Sequence, residues 1–325
     1  MTRADAAFVS TGSLPGPVAV ARLVEEAHRR FGPVHAGEVS DVYPALRTAE
    51  PHRFGIAVTG VTGATHTAGD SAVPFSIMSV AKPFVFALMC GAHHPDTVAQ
   101  FVGLNATGRR FNATSAIEDR PDGRTNPMVN PGAIATTSMA PGDTTEEKWR
   151  FIHEGLSRFA GRELTIDEEV FASASATNSI NRAIGDLLRG YGRLASDPEE
   201  TVDLYTRQSC LKVTARDLAV MAATLAAGGI HPMTGEQVVD QVSCRCALAV
   251  MATAGLYETS GDWLYTIGLP GKSGIGGGIV MVSPGKGGLG TFAPRLDAAG
   301  NSVKGQLAAA FLSRRLGLDL FVSAP

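Results

Sequence analysis

Charge is scarce in this chain of 325 residues. Asp, Glu, Lys and Arg make up 18% of it, 28 basic against 31 acidic, and a net charge of -3 gives no field that would gather a polyanion. Nucleic acid is therefore not an expected partner. The four cysteines, Cys90, Cys210, Cys244 and Cys246, contain no Cys-x-x-Cys spacing and no paired framework, so neither a zinc site nor a disulfide scaffold is indicated. The longest apolar run, Leu218 to Leu225 extended to Ile230, is broken by glycine and falls short of the roughly 20 residues that cross a bilayer. Asp5, Gly12, Pro15, Gly16 and Pro17 interrupt the stretch where a secretory signal needs unbroken apolar residues. The expectation is a cytoplasmic protein without a membrane partner.

What the chain does have is apolar content, 44% of its residues, enough for a sizeable core. Val20, Leu23, Val24 and Ala27 recur at helical spacing within Val18 to Phe31, and Gly32-Pro33 stops that helix. Phe54 to Val61 and Ala64 to Ala68 read as two strands around a Thr62-Gly63 turn. From Ser79 to Met251 the pattern is mostly helical, with Asn126 to Gly132 read as a loop. Strand character returns at Trp263 to Ile267, Gly278 to Ser283 and Gly288 to Ala293, with turns at Pro270-Gly271 and Pro284-Gly285, and Val303 to Leu316 closes as a helix. The reading is a mixed α/β (α+β) fold: one antiparallel sheet flanked by helices, its halves separated by a large helical insertion. It divides a single domain into an α/β part, about 1–75 and 252–325, and a helical part, about 76–251.

Ser79-Val80-Ala81-Lys82 directly follows the strand pair and opens an apolar helix. A spacing of three places the hydroxyl and the amine on one helical face, and a buried amine that has lost its proton can take the serine proton during attack on a carbonyl. Ser-x-x-Lys also occurs at Ser209 to Lys212 and Ser283 to Lys286, so the motif alone decides nothing. The third spans a Pro-Gly turn and the second lies between helices; only the first has the strand-to-helix setting. Lys272-Ser273-Gly274 adds a second element, because penicillin-recognising enzymes set a Lys-Ser/Thr-Gly strand beside their Ser-x-x-Lys helix. The glycines of Ile275-Gly276-Gly277-Gly278 let a substrate lie close to that backbone.

Longer segments extend the pattern. Phe75 to Lys82, Asn126-Pro127-Met128-Val129-Asn130-Pro131-Gly132-Ala133-Ile134, Asp203 to Gln208, Asp217 to Met221, Met251 to Tyr257, Gly268 to Gly278 and Leu296 to Ser302 stand in one order over nearly the whole chain. In this the chain resembles the serine-dependent glutaminases, which share the β-lactamase and penicillin-binding-like fold. The resemblance implies Ser79 as acyl-forming nucleophile, Lys82 as base and Tyr257 as proton shuttle. It implies the backbone N–H groups of Ser79 and Ile275 as an oxyanion hole, and Asn130, Asn181 and Tyr205 as holders of the amino-acid end of the substrate. The implied reaction hydrolyses L-glutamine, or a related carboxamide, with no metal and no organic cofactor, in a homodimer or homotetramer.

Two departures fall on recognition. The family's Glu for the substrate ammonium, seven residues before the Asn matched by Asn181, is Ala174 here, and its Asp-Tyr-Ile-Pro is Asp41-Val42-Tyr43-Pro44. The second is expected to turn the aromatic hydroxyl to the other face of an extended segment. Met78 also replaces the Gln before the nucleophile, and Pro131 the Ala after the pocket Asn. Another amide, ester or thioester substrate is the alternative these changes open. A penicillin-type hydrolase using Ser179-Ile180-Asn181, and a non-catalytic binding protein, are the other readings.

Overall fold

The computed structural model describes residues 12–322. Asp5 and the start of the N-terminal α/β part lie outside the described residues. The central sheet has five antiparallel strands, in the order Thr65–Gly69, Gly55–Gly60, Gly287–Phe292, Gly278–Ser283, Gly271–Ser273. Its halves join where Ile56 pairs with Thr291 and Val58 with Leu289, so the N-terminal hairpin is completed by a strand from the far end of the chain. Gly63, at φ +90°, makes the hairpin turn that the Thr62-Gly63 pair indicates.

Alternation along the strands sorts their side chains into two layers. Ile56, Val58, Ile279, Met281 and Leu289 join a core cluster with residues of the first helix, Pro17–Phe31, and the last, Val303–Leu316. The other face carries Val280, Val282 and Phe292 beside Gly288 and Gly290, and meets the helix Ala215–Ala226. A methyl group on Gly288 would come within 2.2 Å of Ala222 Cβ, and one on Gly290 within 2.2 Å of the Ala215 carbonyl oxygen. A sheet face of glycine and a helix face of alanine thus bring two backbones close together.

The helix Lys82–His93 is buried from Lys82 through Cys90, as its apolar composition on every face demands. Its packing partners include the helices Asn130–Ser138, Thr145–Ala160 and Gln241–Ala254. Each fully buried Leu, Ile or Phe there contributes about 1.5–3 kcal/mol.

Three local expectations are corrected. Trp263 to Ile267 lies in a helix, Ser260–Ile267, and the fifth strand is Gly271–Ser273. The run has β-favouring composition, but Trp263 and Ile267 are buried one turn apart while Tyr265 between them is 94% exposed, and Gly268 caps the helix at φ +71°. Gly271 consequently begins a strand; a side chain on it would strike the Trp263 ring. Asn130 is not in a loop but opens a helix with Pro131 in its first turn. Ser79 lies in a 3-10 turn, Met78–Ala81, and the α-helix starts only at Lys82. That turn has three residues per revolution, so positions i and i+3 eclipse and Ser79 and Lys82 share one face.

Candidate active site

The short strand Phe75–Ser76 pairs with Lys212–Val213 and delivers the chain into the Met78–Ala81 turn. Met78 enters it at φ +49°, a left-handed conformation that costs a non-glycine residue on the order of 1–3 kcal/mol. Tyr257 is held at φ +57°. Two of the three non-glycine residues with positive φ among the described residues therefore bracket Ser79 in space or sequence. Gly274 explains how close the Lys272 strand runs: a Cβ there would lie 3.0 Å from the Ile77 carbonyl oxygen and 3.2 Å from the Ser79 nitrogen. Among the described residues the backbone N–H groups of Ser79 and Ile275 have no acceptor.

Lys82 is 2% exposed, and its Nζ donates to Asn130 Oδ1 at 2.7 Å. Burial alone brings its pKa down from 10.5 to about 7. Tyr205 Oη donates to the same oxygen at 3.0 Å, and burial holds its phenol well above the usual range. Asn130 Nδ2 donates to Asn181 Oδ1 at 3.0 Å, and Asn181 Nδ2 to Asn178 Oδ1 at 2.6 Å. Asn178 Nδ2 then donates to Thr206 Oγ1 at 2.7 Å, whose hydroxyl donates to the Val202 carbonyl at 2.6 Å. The chain of bonds ends on an atom that can only accept, which fixes the orientation of each amide back to Lys82.

Tyr257 Oη donates to the Ser273 carbonyl at 3.2 Å. Burial lifts the phenol to about 12 against the opposing hydrogen bonds with Ser79 and Ser273. Lys272, fully buried, places Nζ 4.1 Å from the centre of the Tyr257 ring and donates to the Ser273 carbonyl at 2.7 Å. Burial, then the charge of Lys82, pushes its pKa well below the usual value. Ser273 Oγ hydrogen-bonds Asn301 Oδ1, which ties the strand to the loop before the last helix. Ser273 and Gly274 thus support the site through backbone and packing.

Ser79, Asn130, Asn181, Tyr205 and Ile275 line one cleft of about 690 Å³, open mouth included. Lys82, Lys272 and Tyr257 lie beneath it. Tyr43 also lines it, which corrects the expected turn to the other face: the 3-10 turn Pro44–Thr48 docks through Ala45 N–H onto Ser173 Oγ at 3.2 Å. Burial raises the Tyr43 phenol to about 12, opposed by its hydrogen bond with Asn181. Ala174 is 1% exposed and forms part of the cleft wall; Glu168 and Glu169 do not line it. Ser179 is exposed and also outside it. The second Ser-x-x-Lys does reach the cleft through Ser209, but that hydroxyl donates to the Tyr205 carbonyl and Lys212 sits on a strand.

Asn178 and Thr206 are the residues that sequence reasoning missed. Their signal was Asn-x-x-Asn at a helix start, a spacing that also suits simple capping. Among the described residues no three His, Cys, Asp or Glu side chains come together as a metal site, and no helix is long and apolar enough to cross a membrane.

The sequence profile described as Glutaminase matches residues 37–321. The chain is 64% identical over 318 residues to Glutaminase 2 of Yersinia pestis, covering 98% of this chain and 94% of that one. It is 42% identical to a glutaminase of Colwellia psychrerythraea, covering 94% and 99%. Among solved structures, the probable glutaminase YbaS superposes with a TM-score of 0.93 at 37% identity, over 95% of this chain and all of that one. Mglu in its glutamate form gives 0.89 at 37% identity, over 96% and 71%. Agreement of sequence and backbone over almost every residue reflects common descent: the chain belongs to the glutaminase family and has its β-lactamase-like fold.

Proposed function

We propose that this protein hydrolyses the side-chain carboxamide of glutamine, L-glutamine and water giving L-glutamate and ammonia, through an ester on Ser79. Neutral Lys82 takes the Ser79 hydroxyl proton as Oγ bonds to the carboxamide carbon. The oxyanion that forms is met by the free N–H groups of Ser79 and Ile275. The C–N bond then breaks, and Tyr257 relays the proton to the departing nitrogen, which leaves as ammonia. Water adds to the ester with Lys82 as base, the bond to Oγ breaks, and Ser79 recovers its proton. Asn130, Asn181 and Tyr205 line the cleft where the amino-acid end would lie.

The observation that carries this reading is Lys82: a fully buried amine with a pKa near 7, one 3-10 turn from a serine that opens onto a cleft. Release of ammonia from L-glutamine, followed with Ser79→Ala and Lys82→Ala, tests it. Both variants are expected to lose about three orders of magnitude in kcat, and turnover preserved in Ser79→Ala would sink the mechanism. The unpaired cysteines fit a cytoplasmic setting, and family resemblance supports a homodimer or homotetramer, which sedimentation tests.

A further inference from the structure

The cleft carries no ionised side chain on its wall. Its lining is apolar or neutral, and Met78, Ala174, Cys210 and Ile275 join Val170 in one buried apolar cluster. Carboxylates behind that wall are Asp167 and Glu168, whose charges add to burial in pushing the Cys210 thiol up to about 12, and Glu258 and Asp297, whose charges act on Tyr257. None of the four lines the cleft. Asp167 is engaged by Ser76 Oγ at 3.1 Å and by the Val170 N–H at 3.4 Å, and Glu168 is exposed.

The neutral groups offer a cation no counter-charge. An ammonium is a set of three donors and, once desolvated, needs either a counter-charge or acceptors for all of them. Asn130 Oδ1 accepts from both Lys82 and Tyr205 and is filled, whereas Asn181 Oδ1 and Asn178 Oδ1 accept one bond each and keep one lone pair, so the wall offers an amine hydrogen bonds but no counter-charge. Val42 and Ile180 line the same cleft yet are 45% and 51% exposed, so the rim offers apolar surface to a group extending past the amine. Glutamine and its N-acylated form both carry the α-carboxylate, so they differ at the amine. An amide N–H needs one acceptor and no counter-charge, and its acyl group meets the apolar rim, whereas a desolvated ammonium needs a counter-charge that this wall lacks or an acceptor for each of three donors.

We infer that the preferred substrate is glutamine whose α-amine is acylated, with the free amino acid the poorer one. The inference rests on the proposed hydrolysis at Ser79 and narrows its substrate. N-acetyl-L-glutamine and L-glutamine are the probes, with ammonia release as the readout on the intact chain. Near neutral pH, kcat/KM is expected to be at least about tenfold higher for N-acetyl-L-glutamine, a difference of roughly 1.4 kcal/mol in transition-state binding. The ratio should narrow as pH rises through the ionisation of the free amine of glutamine, because changes in the enzyme itself cancel between the two substrates. Ala174→Glu is expected to lower the ratio about tenfold or more, while Ala174→Met, of similar length but with neither charge nor a strong acceptor, leaves it within about twofold.

Equal or better use of L-glutamine by the natural chain overturns the inference and leaves the serine-lysine chemistry standing, as does a ratio indifferent to pH. Failure to turn over either compound, with Ser79 unlabelled by a fluorophosphonate, overturns the chemistry as well. The pH arm uses the unaltered protein, so the test survives if either Ala174 variant fails to fold.

Discussion

At the scale of single residues, burial and the proposed role as base pull Lys82 in opposite directions. Its amine is proposed as the base because burial makes the neutral form common near pH 7, and the same burial makes the charged form costly. The rate should therefore rise about tenfold per pH unit below 7 and level off above it, and a kcat/KM profile with no acid limb near 7 would contradict that assignment. The stability effect has a defined sign. The pKa is 10.5 unfolded and about 7 folded, so between those values the unfolded chain holds a proton that the folded chain has released. Stability from this group is present above 10.5 and lost as pH falls toward 7. Lys82→Met should accordingly be inactive yet more stable by about 1–4 kcal/mol at neutral pH, with the gain shrinking in alkaline solution, as urea titrations across pH will show. Thr206 acts at a distance on the same amine: without its hydroxyl, Asn178 loses its acceptor and the amide chain its fixed direction. Thr206→Val is expected to lower kcat about tenfold and move the acid limb, whereas Thr206→Ser restores both; a loss of stability with an unmoved limb would reduce Thr206 to a packing role.

At the scale of elements, the site depends on close approach of backbones. Gly290 lets the helix Ala215–Ala226 lie against the sheet, and Gly274 lets the Lys272 strand lie against the Ser79 turn. Gly290→Ala must displace backbone atoms and should destabilise by about 3 kcal/mol, measured by thermal or urea unfolding. Gly274→Ala meets contacts of 3.0–3.2 Å, which a shift of a few tenths of an ångström relieves. Its stability should change by less than about 1 kcal/mol while kcat falls about tenfold or more, because the displaced atoms flank the N–H groups proposed to hold the oxyanion. The strand reading of Trp263 to Ile267 failed at this scale. Its composition suits either element, and only the core that receives Trp263 and Ile267 together selects the helix.

At the scale of the whole molecule, the helical insertion is not an appendage, since its Ala215–Ala226 helix covers the centre of the sheet. One cooperative unfolding transition is expected. The two tryptophans report separately on it, Trp149 from the helical block and Trp263 from beside the sheet. Trp149→Phe and Trp263→Phe should give coincident urea midpoints, and a clear separation would establish two units. The sequence by itself determined the antiparallel sheet split by helices, the serine-lysine pair and the lysine strand beside it, because each rests on local spacing or on motifs a few residues long. Tertiary structure alone decided that Ser79 and Lys82 share a 3-10 turn, that Asn178 and Thr206 complete the chain of amides, and that Tyr43 stays in the cleft. Those contacts join residues far apart in the chain, and their geometry is set by the packing of whole helices, which no local pattern encodes. The same holds for the amine that opened the question of function: the sequence supplies Lys82, and only the fold that buries it brings its proton within reach of neutral pH.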